Sequence, residues 1–336
     1  MGGPALRPGR DADAAGFMAL IAACWAEYPG CVMDRAEVPE LDTLATYAAG
    51  RGGAVWAAEA EGRVVGMVCA WPAAEGAWEL AKMYVAQPWR GTGLAHALAA
   101  AAEDFAGTHG AARIVLWSDT RFDRAHRFYE GRSYVRAGAI RALGDRSNSI
   151  EFGYAKPLGE SVVQTLDAAA AASAEVPLAR VLVACVDAGA SVSFFAPLAM
   201  APARAFWRET ARAVARGERV LIAAWHGGTL VGTVQLAFAA PQNQPHRADL
   251  AKMLVRPEAR RRGIGAALLA AAEQAARDAG RTLLVLDTQT GGAGERLYRA
   301  GGWTEVGCVP DYARFADGSP CDTTFFFKRL AGAAPP

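Results

Sequence analysis

Glu79-Leu-Ala-Lys-Met-Tyr-Val85 is matched 170 residues further along by Asp249-Leu-Ala-Lys-Met-Leu-Val255. Working outward, the likeness holds. Arg90-Gly-Thr-Gly-Leu-Ala95 meets Arg260-Arg-Arg-Gly-Ile-Gly265, and each turn leads into an alanine-rich helical segment, residues 96–105 and 266–279. Ile114-Val-Leu-Trp-Ser-Asp-Thr120 aligns with Leu283-Leu-Val-Leu-Asp-Thr288 as a buried strand, and Arg127-Phe-Tyr-Glu130 aligns with Arg296-Leu-Tyr-Arg299 on a following helix, the offset drifting by about two residues. In this alignment Asp119 is the counterpart of Asp287, and Tyr129 of Tyr298.

Two homologous units follow, and 336 residues give each a normal domain size. The expected domains are 1–158 and 161–331, because the halves end in strand-like runs closed by Lys-Pro-Leu158 and Lys-Arg-Leu330. Upstream of the shared core, each half offers helical segments first, residues 14–28 and 202–216. A hairpin follows, turning at Glu61-Gly62 or His226-Gly-Gly228. The expected order in each is β, α, α, three β, α, β, α, β. Antiparallel strands beside a βαβ crossover predict an α/β fold: a mixed, mostly antiparallel sheet flanked by helices. The alanine-rich stretch 167–177 reads as helix or connector.

Composition excludes several classes of function. Lys plus Arg number 35 against 34 Asp plus Glu, so no net basic field exists to hold nucleic acid. No stretch of about 18 apolar residues provides a membrane span, and the N-terminus lacks a signal-peptide core, so the expected location is cytoplasmic. Cys24, Cys31, Cys69, Cys185, Cys308 and Cys321 form no CxxC pair and none aligns between the halves. Neither do His96, His109, His126, His226 and His246, and no metal is expected.

A strand, then Arg-x-x-Gly-x-Gly/Ala, then a helix, suits an anion. Glycine lets the backbone come close, and the free N–H groups of the helix start donate to phosphate oxygens. The ordinary alternative is a plain helix start. Walker A and dinucleotide-binding patterns are each missing a required residue.

These motifs together, twice over, resemble the GNAT acetyltransferase superfamily. The resemblance covers nearly the whole chain. It implies a turn that grips the pyrophosphate of acetyl-coenzyme A, with neighbouring strands splayed to admit the acetyl-pantetheine arm. The implied contacts are Met83, Tyr84, Val85, Arg90, Gly91, Thr92, Gly93, Leu94 and Ala95 in the first half. In the second they are Met253, Leu254, Val255, Arg260, Arg261, Arg262, Gly263, Ile264, Gly265 and Ala266. In the second half Gly189-Ala-Ser-Val-Ser-Phe194, Leu286-Asp-Thr288, Gly307-Cys-Val-Pro-Asp-Tyr312, Asp317-Gly318 and Phe327-Lys328 resemble the tabtoxin-resistance acetyltransferases. That branch implies a small amino-acid-like acceptor and catalytic roles for Asp249 and Asp287.

Acetylating an amine requires a neutral nitrogen, whereas an alkylamine has a pKa of about 10.4. Asp249 and Glu79, each eleven residues before its turn arginine, are the candidate bases. Asp287 and Asp119 would share proton removal or bind the acceptor's ammonium, and Tyr298 and Tyr129 are the candidate acids for the leaving thiolate. Backbone N–H groups at a strand bulge near Met83–Val85 and Met253–Val255 would stabilise developing negative charge. The expected partner is a small-molecule amine, in a monomer or weak homodimer. A protein or peptide acceptor, and a noncatalytic acyl-coenzyme A-binding role for one half, are the alternatives.

Overall fold

The strand carrying the first motif, Ala77–Val85, hydrogen-bonds to two neighbours of opposite sense, antiparallel to Arg63–Ala74 and parallel to Arg113–Asp119. Its copy, Arg247–Val255, does the same with Thr229–Phe238 and Leu283–Gln289. The computed structural model describes residues 3–330 and builds a mixed sheet around each motif strand.

The first sheet's elements are β1 (Ala5–Pro8), α1 (Ala14–Trp25), α2 (Leu44–Gly50), β2 (Ala54–Ala60), β3 (Arg63–Ala74), β4 (Ala77–Val85), α3 (Leu94–Thr108), β5 (Arg113–Asp119), α4 (Asp123–Gly131), β6 (Val135–Arg136), β7 (Arg141–Ala142) and β8 (Ile150–Pro157). Strand order is β1-β2-β3-β4-β5-β8-β6, with β7 also on β8. The second comprises β9 (Val162–Leu166), α5 (Ala168–Ser173), α6 (Glu175–Asp187), α7 (Met200–Ala215), β10 (Arg219–His226), β11 (Thr229–Phe238), β12 (Arg247–Val255), α8 (Ile264–Asp278), β13 (Leu283–Gln289), α9 (Ala293–Ala300), β14 (Thr304–Arg314) and β15 (Pro320–Arg329), ordered β14-β15-β13-β12-β11-β10-β9. Chain packing divides the described residues into two units, 3–128 with 136–158 and 129–135 with 159–330.

Period-two burial explains the second sheet. Ile222, Ala224, Val234, Leu236, Leu250, Leu284 and Leu286 face α8, whose Ile264, Leu268, Leu269, Ala272 and Ala276 form one apolar stripe. Leu221, Ala223 and Trp225 on the other face meet α6 and α7. Each fully buried leucine contributes about 1.5–3 kcal/mol. The hairpin turns fall at Glu61-Gly62 (φ 51° and 70°) and Gly227-Gly228 (φ 53° and 73°).

Two expectations are corrected. The second half opens with three helices, since Glu175–Asp187 is helical. This helix, rather than residues 202–216, is the counterpart of α1. Cys24 on α1 donates its thiol to Val85 O (3.7 Å), and Cys185 on α6 donates to Val255 O (3.4 Å). A cysteine therefore does recur at a shared position. Second, both sheets end in more than one strand. The second ends in the hairpin β14–β15, and β14 exposes Val306, Val309 and Tyr312.

Candidate functional site

Each turn is built as a backbone cradle. Gly93 (φ 94°) and Gly263 (φ 78°) are the left-handed N-caps of α3 and α8, a conformation that disfavours any residue with a Cβ. A Cβ at either would meet open space, so backbone conformation, and not crowding, selects glycine. The first intrahelical bonds are Ala97 N to Gly93 O (3.1 Å) and Ala267 N to Gly263 O (3.0 Å). The amides of Leu94 and Ala95, and of Ile264, Gly265 and Ala266, precede them and have no intrahelical acceptor. They fit an anion in front of the helix. The two turns differ in charge. Arg90 makes a bidentate ion pair with Glu27 (2.6 and 2.7 Å), and Arg124 reaches the same carboxylate at 3.3 Å. Among the described residues no carboxylate pairs with Arg260, Arg261 or Arg262.

The motif strands open a cleft. β4 pairs with β5 only at Ala77–Glu79, and β12 with β13 only at Arg247–Asp249. Beyond that, each strand follows its other neighbour. Glu79 and Asp249 therefore sit at the apex of each splay. A β-bulge follows in both strands, where Lys82 (φ 50°) and Lys252 (φ 51°) take left-handed backbone. The side chains of Tyr84 and Leu254 turn into the core, Tyr84 accepting from Trp25 Nε1 at 3.0 Å. Burial raises the Tyr84 pKa, leaving a neutral phenol. Met253 and Val255 pack beside α8.

The carboxylates are not alike. Asp249 pairs with Arg247 at 2.6 Å and keeps 44% of its side chain exposed. Glu79 accepts from Trp71 Nε1 at 3.1 Å. Asp287 is exposed at the open end of β13. Asp119 is buried, with both oxygens bound by Arg121 and one also by the Arg121 amide (2.8 Å). Burial alone would raise its pKa, but the Arg121 hydrogen bonds and charge outweigh this and hold it below the ordinary value.

The pairing register corrects one equivalence. Glu79 faces Val115 and Asp249 faces Val285, so the offset stays at 170 along the strand. Asp119 then corresponds to Gln289, and Asp287 to Trp117. The drift inferred from sequence enters only after the strand, before Tyr129 and Tyr298. Both tyrosines are buried. Tyr298 packs near Trp303 and Phe326, and burial, with the charge of Asp287, raises its pKa. Tyr129 lies in the segment grouped with the second unit.

Sequence reading did not single out the bulge lysines or the thiols under the cradles. Lys82 pairs with Glu40 at 2.6 Å. Lys252 donates to Val192 O and Ser193 Oγ, each at 3.1 Å. The signal was present in the shared Leu-Ala-Lys-Met, but only the bulge makes that lysine special. Among the described residues no cluster of metal ligands occurs, and no helix is long and apolar enough to cross a membrane.

A splayed, bulged sheet feeding a glycine-capped helix is built twice along this chain. The model of the acetyltransferase (GNAT) family matches residues 17–134 and again 190–302, and the chain belongs to that family. Aminoglycoside N(6')-acetyltransferase type 1 of Klebsiella aerogenes is 38% identical over 100 residues, 29% of this chain and 66% of that protein, so the match spans just under two thirds of the relative's length. Among solved structures, yncA of Salmonella typhimurium, with its cofactor acetyl-CoA, is 18% identical with a TM-score of 0.44, covering 52% of this chain and 97% of that one. A ribosomal-protein-alanine N-acetyltransferase from Brucella melitensis is 23% identical with a TM-score of 0.43, covering 50% and 99%.

Proposed function

We propose that the chain is an N-acetyltransferase that moves acetyl from acetyl-CoA to the primary amine of a small, amino-acid-like molecule, by direct attack in a ternary complex, with the second unit as the principal catalyst. The observation that carries this reading is Asp249, a half-exposed carboxylate at the apex of a splay whose other end is the unpaired-arginine cradle. Acetyl-CoA supplies the activated acyl group. The free amides of Ile264, Gly265 and Ala266, with Arg260–Arg262, hold its phosphates. Asp249 takes the proton from the acceptor ammonium directly or through water, and exposed Asp287 draws the ammonium in. The bulge near Lys252–Met253 interrupts the ladder, which frees backbone N–H groups for the developing oxyanion. Tyr298, kept protonated by burial, gives its proton to the leaving sulfur.

The resemblance to tabtoxin-resistance enzymes and the aminoglycoside relative both favour a small amine over a peptide. For the first unit, a second reading as a noncatalytic acyl-coenzyme A-binding domain is favoured by one observation: the strand register puts Trp117 where the second unit has Asp287, so that carboxylate has no copy there. Calorimetric titration of acetyl-CoA into the intact protein, Gly93→Glu and Gly263→Glu tests the cradles, because glutamate there adds bulk and like charge. We expect one site lost in each variant, and coenzyme A release with small amines to fall in Gly263→Glu. Release confined to peptides would overturn the acceptor, and absence of acetyl-CoA binding would overturn the donor.

A further inference from the structure

Lys252 stands in a different electrostatic setting from its copy. Lys82 is neutralised by Glu40 at 2.6 Å. Among the described residues, no carboxylate comes within ion-pair distance of Lys252, whose Nζ has only neutral partners, Val192 O and Ser193 Oγ. Its ammonium lies 5.7 Å from the Phe206 ring centre. Burial lowers its pKa and the nearby charge of Arg219 adds to this, while Asp287 acts in the opposite sense. An ammonium partly withdrawn from water without a counter-ion is costly unless an anion joins it.

A second observation points the same way. Gln235 pairs with Ala251 on β12, and Ala237 pairs with Asp249, so Gln235 lies on the Asp249 face of the sheet. It is fully buried. Its Oε1 accepts from Arg219 Nη1 at 2.7 Å, which fixes the amide so that Nε2 is left as a donor with no partner. A buried donor without an acceptor costs about 1–3 kcal/mol. Arg219, Gln235 and Lys252 thus concentrate positive charge and donors on the face whose apex and far strand carry Asp249 and Asp287. Such a division of charge matches a zwitterion.

Building on the acetyltransferase reading above, we propose that Lys252, supported by the Gln235 amide, is the carboxylate anchor of the second unit. It would select acceptors that bear a carboxylate as well as the reacting amine, with the ammonium turned toward Asp249 and Asp287. The first unit lacks this anchor, because Glu40 already occupies Lys82. The two units therefore differ in the acceptor charge they accept.

The test uses the full chain, with and without Gly93→Glu to block the first cradle. Coenzyme A release is followed with matched acceptors: amino acids, their carboxamides and the corresponding decarboxylated amines. Wild type should favour the acids. Lys252→Met should raise KM for the acids about tenfold or more, the loss expected for one charge-assisted contact, and leave KM for the carboxamides within about twofold. Gln235→Leu, which removes the orphaned donor together with the oxygen that accepts from Arg219, should raise the acid KM more modestly and again spare the carboxamides. Equal use of acids and carboxamides by wild type, or equal loss on both in Lys252→Met, overturns the anchor and leaves the acetyltransferase reading standing. Release with no amine at all overturns both.

Discussion

At the scale of single residues, chemistry carried by the backbone was the most legible. The two turns declare themselves because glycine is required where φ is positive, a local constraint that Gly93 and Gly263 express directly. Equivalences between side chains were harder. Asp119 and Asp287 look alike in sequence because each is followed by threonine. The partner strand sets their register, and that information lies elsewhere in the chain. The same holds for the thiols: Cys24 lies 61 residues before Val85 and Cys185 lies 70 before Val255, so unequal loops hide an identical contact. The locked Asp119 gives a prediction. Its folded pKa is depressed below 3.8, so its ion pair stabilises fully above the unfolded value and is lost as pH falls through the folded one. Asp119→Asn should cost about 1–3 kcal/mol near neutrality. Urea unfolding of wild type and variant across pH should show that gap constant down to about pH 5 and closing from about pH 4 downward. A gap unchanged at pH 3 would mean the carboxylate charge contributes nothing.

Elements show why one helix escaped the sequence reading. Arg180-Val-Leu-Val-Ala-Cys-Val186 is rich in β-branched residues, and a short apolar run does not separate strand from buried helix. In the structure Leu178, Val181, Leu182, Cys185 and Val186 fall on one buried stripe at helical spacing. The long helices after the cradles were legible because alanine and leucine favour helix and the glycine cap marks the start. What sequence could not show is how these helices are tied to the sheet. Glu103 on α3 pairs with Lys156 on β8 at 2.6 Å, and Glu273 on α8 pairs with Lys328 on β15 at 2.7 Å. The first pair is almost sealed, with side chains 4% and 10% exposed, whereas Lys328 keeps 22%. Removing one member of a sealed pair takes the counter-charge from the other, at about 3–5 kcal/mol. Glu103→Ala should therefore destabilise more than Glu273→Ala, and Glu103→Leu combined with Lys156→Met should recover most of the loss. Chemical denaturation of the single and double variants decides this. A double variant as unstable as Glu103→Ala would show that the pair, and not the lysine's lost counter-charge, matters.

For the molecule as a whole, duplication supplies two cradles of one backbone design, so their differences can be read against each other. Both present free amides at a glycine-capped helix. The first surrounds them with Gly91 and Thr92 and ties Arg90 to Glu27. The second has Arg260, Arg261 and Arg262, with no carboxylate paired to them among the described residues, and accepts a left-handed backbone at Arg261 (φ 62°), where the first unit has glycine. The residue that neutralises Arg90 has no acidic copy. Glu27 lies three positions beyond Cys24, and three beyond Cys185 is Ala188. A fixed negative charge beside a phosphate site opposes the ligand, and at the effective dielectric of a protein surface one such charge several ångströms away changes affinity by about three- to tenfold. Titration of acetyl-CoA should thus resolve a tighter site that disappears in Gly263→Glu and a weaker one that remains. Glu27→Gln should tighten the weaker site and leave the other unchanged, with a steeper salt dependence at the newly freed Arg90. Equal affinities in wild type, or tightening at both sites, would mean that the arginine count does not set donor affinity and that the backbone amides alone do.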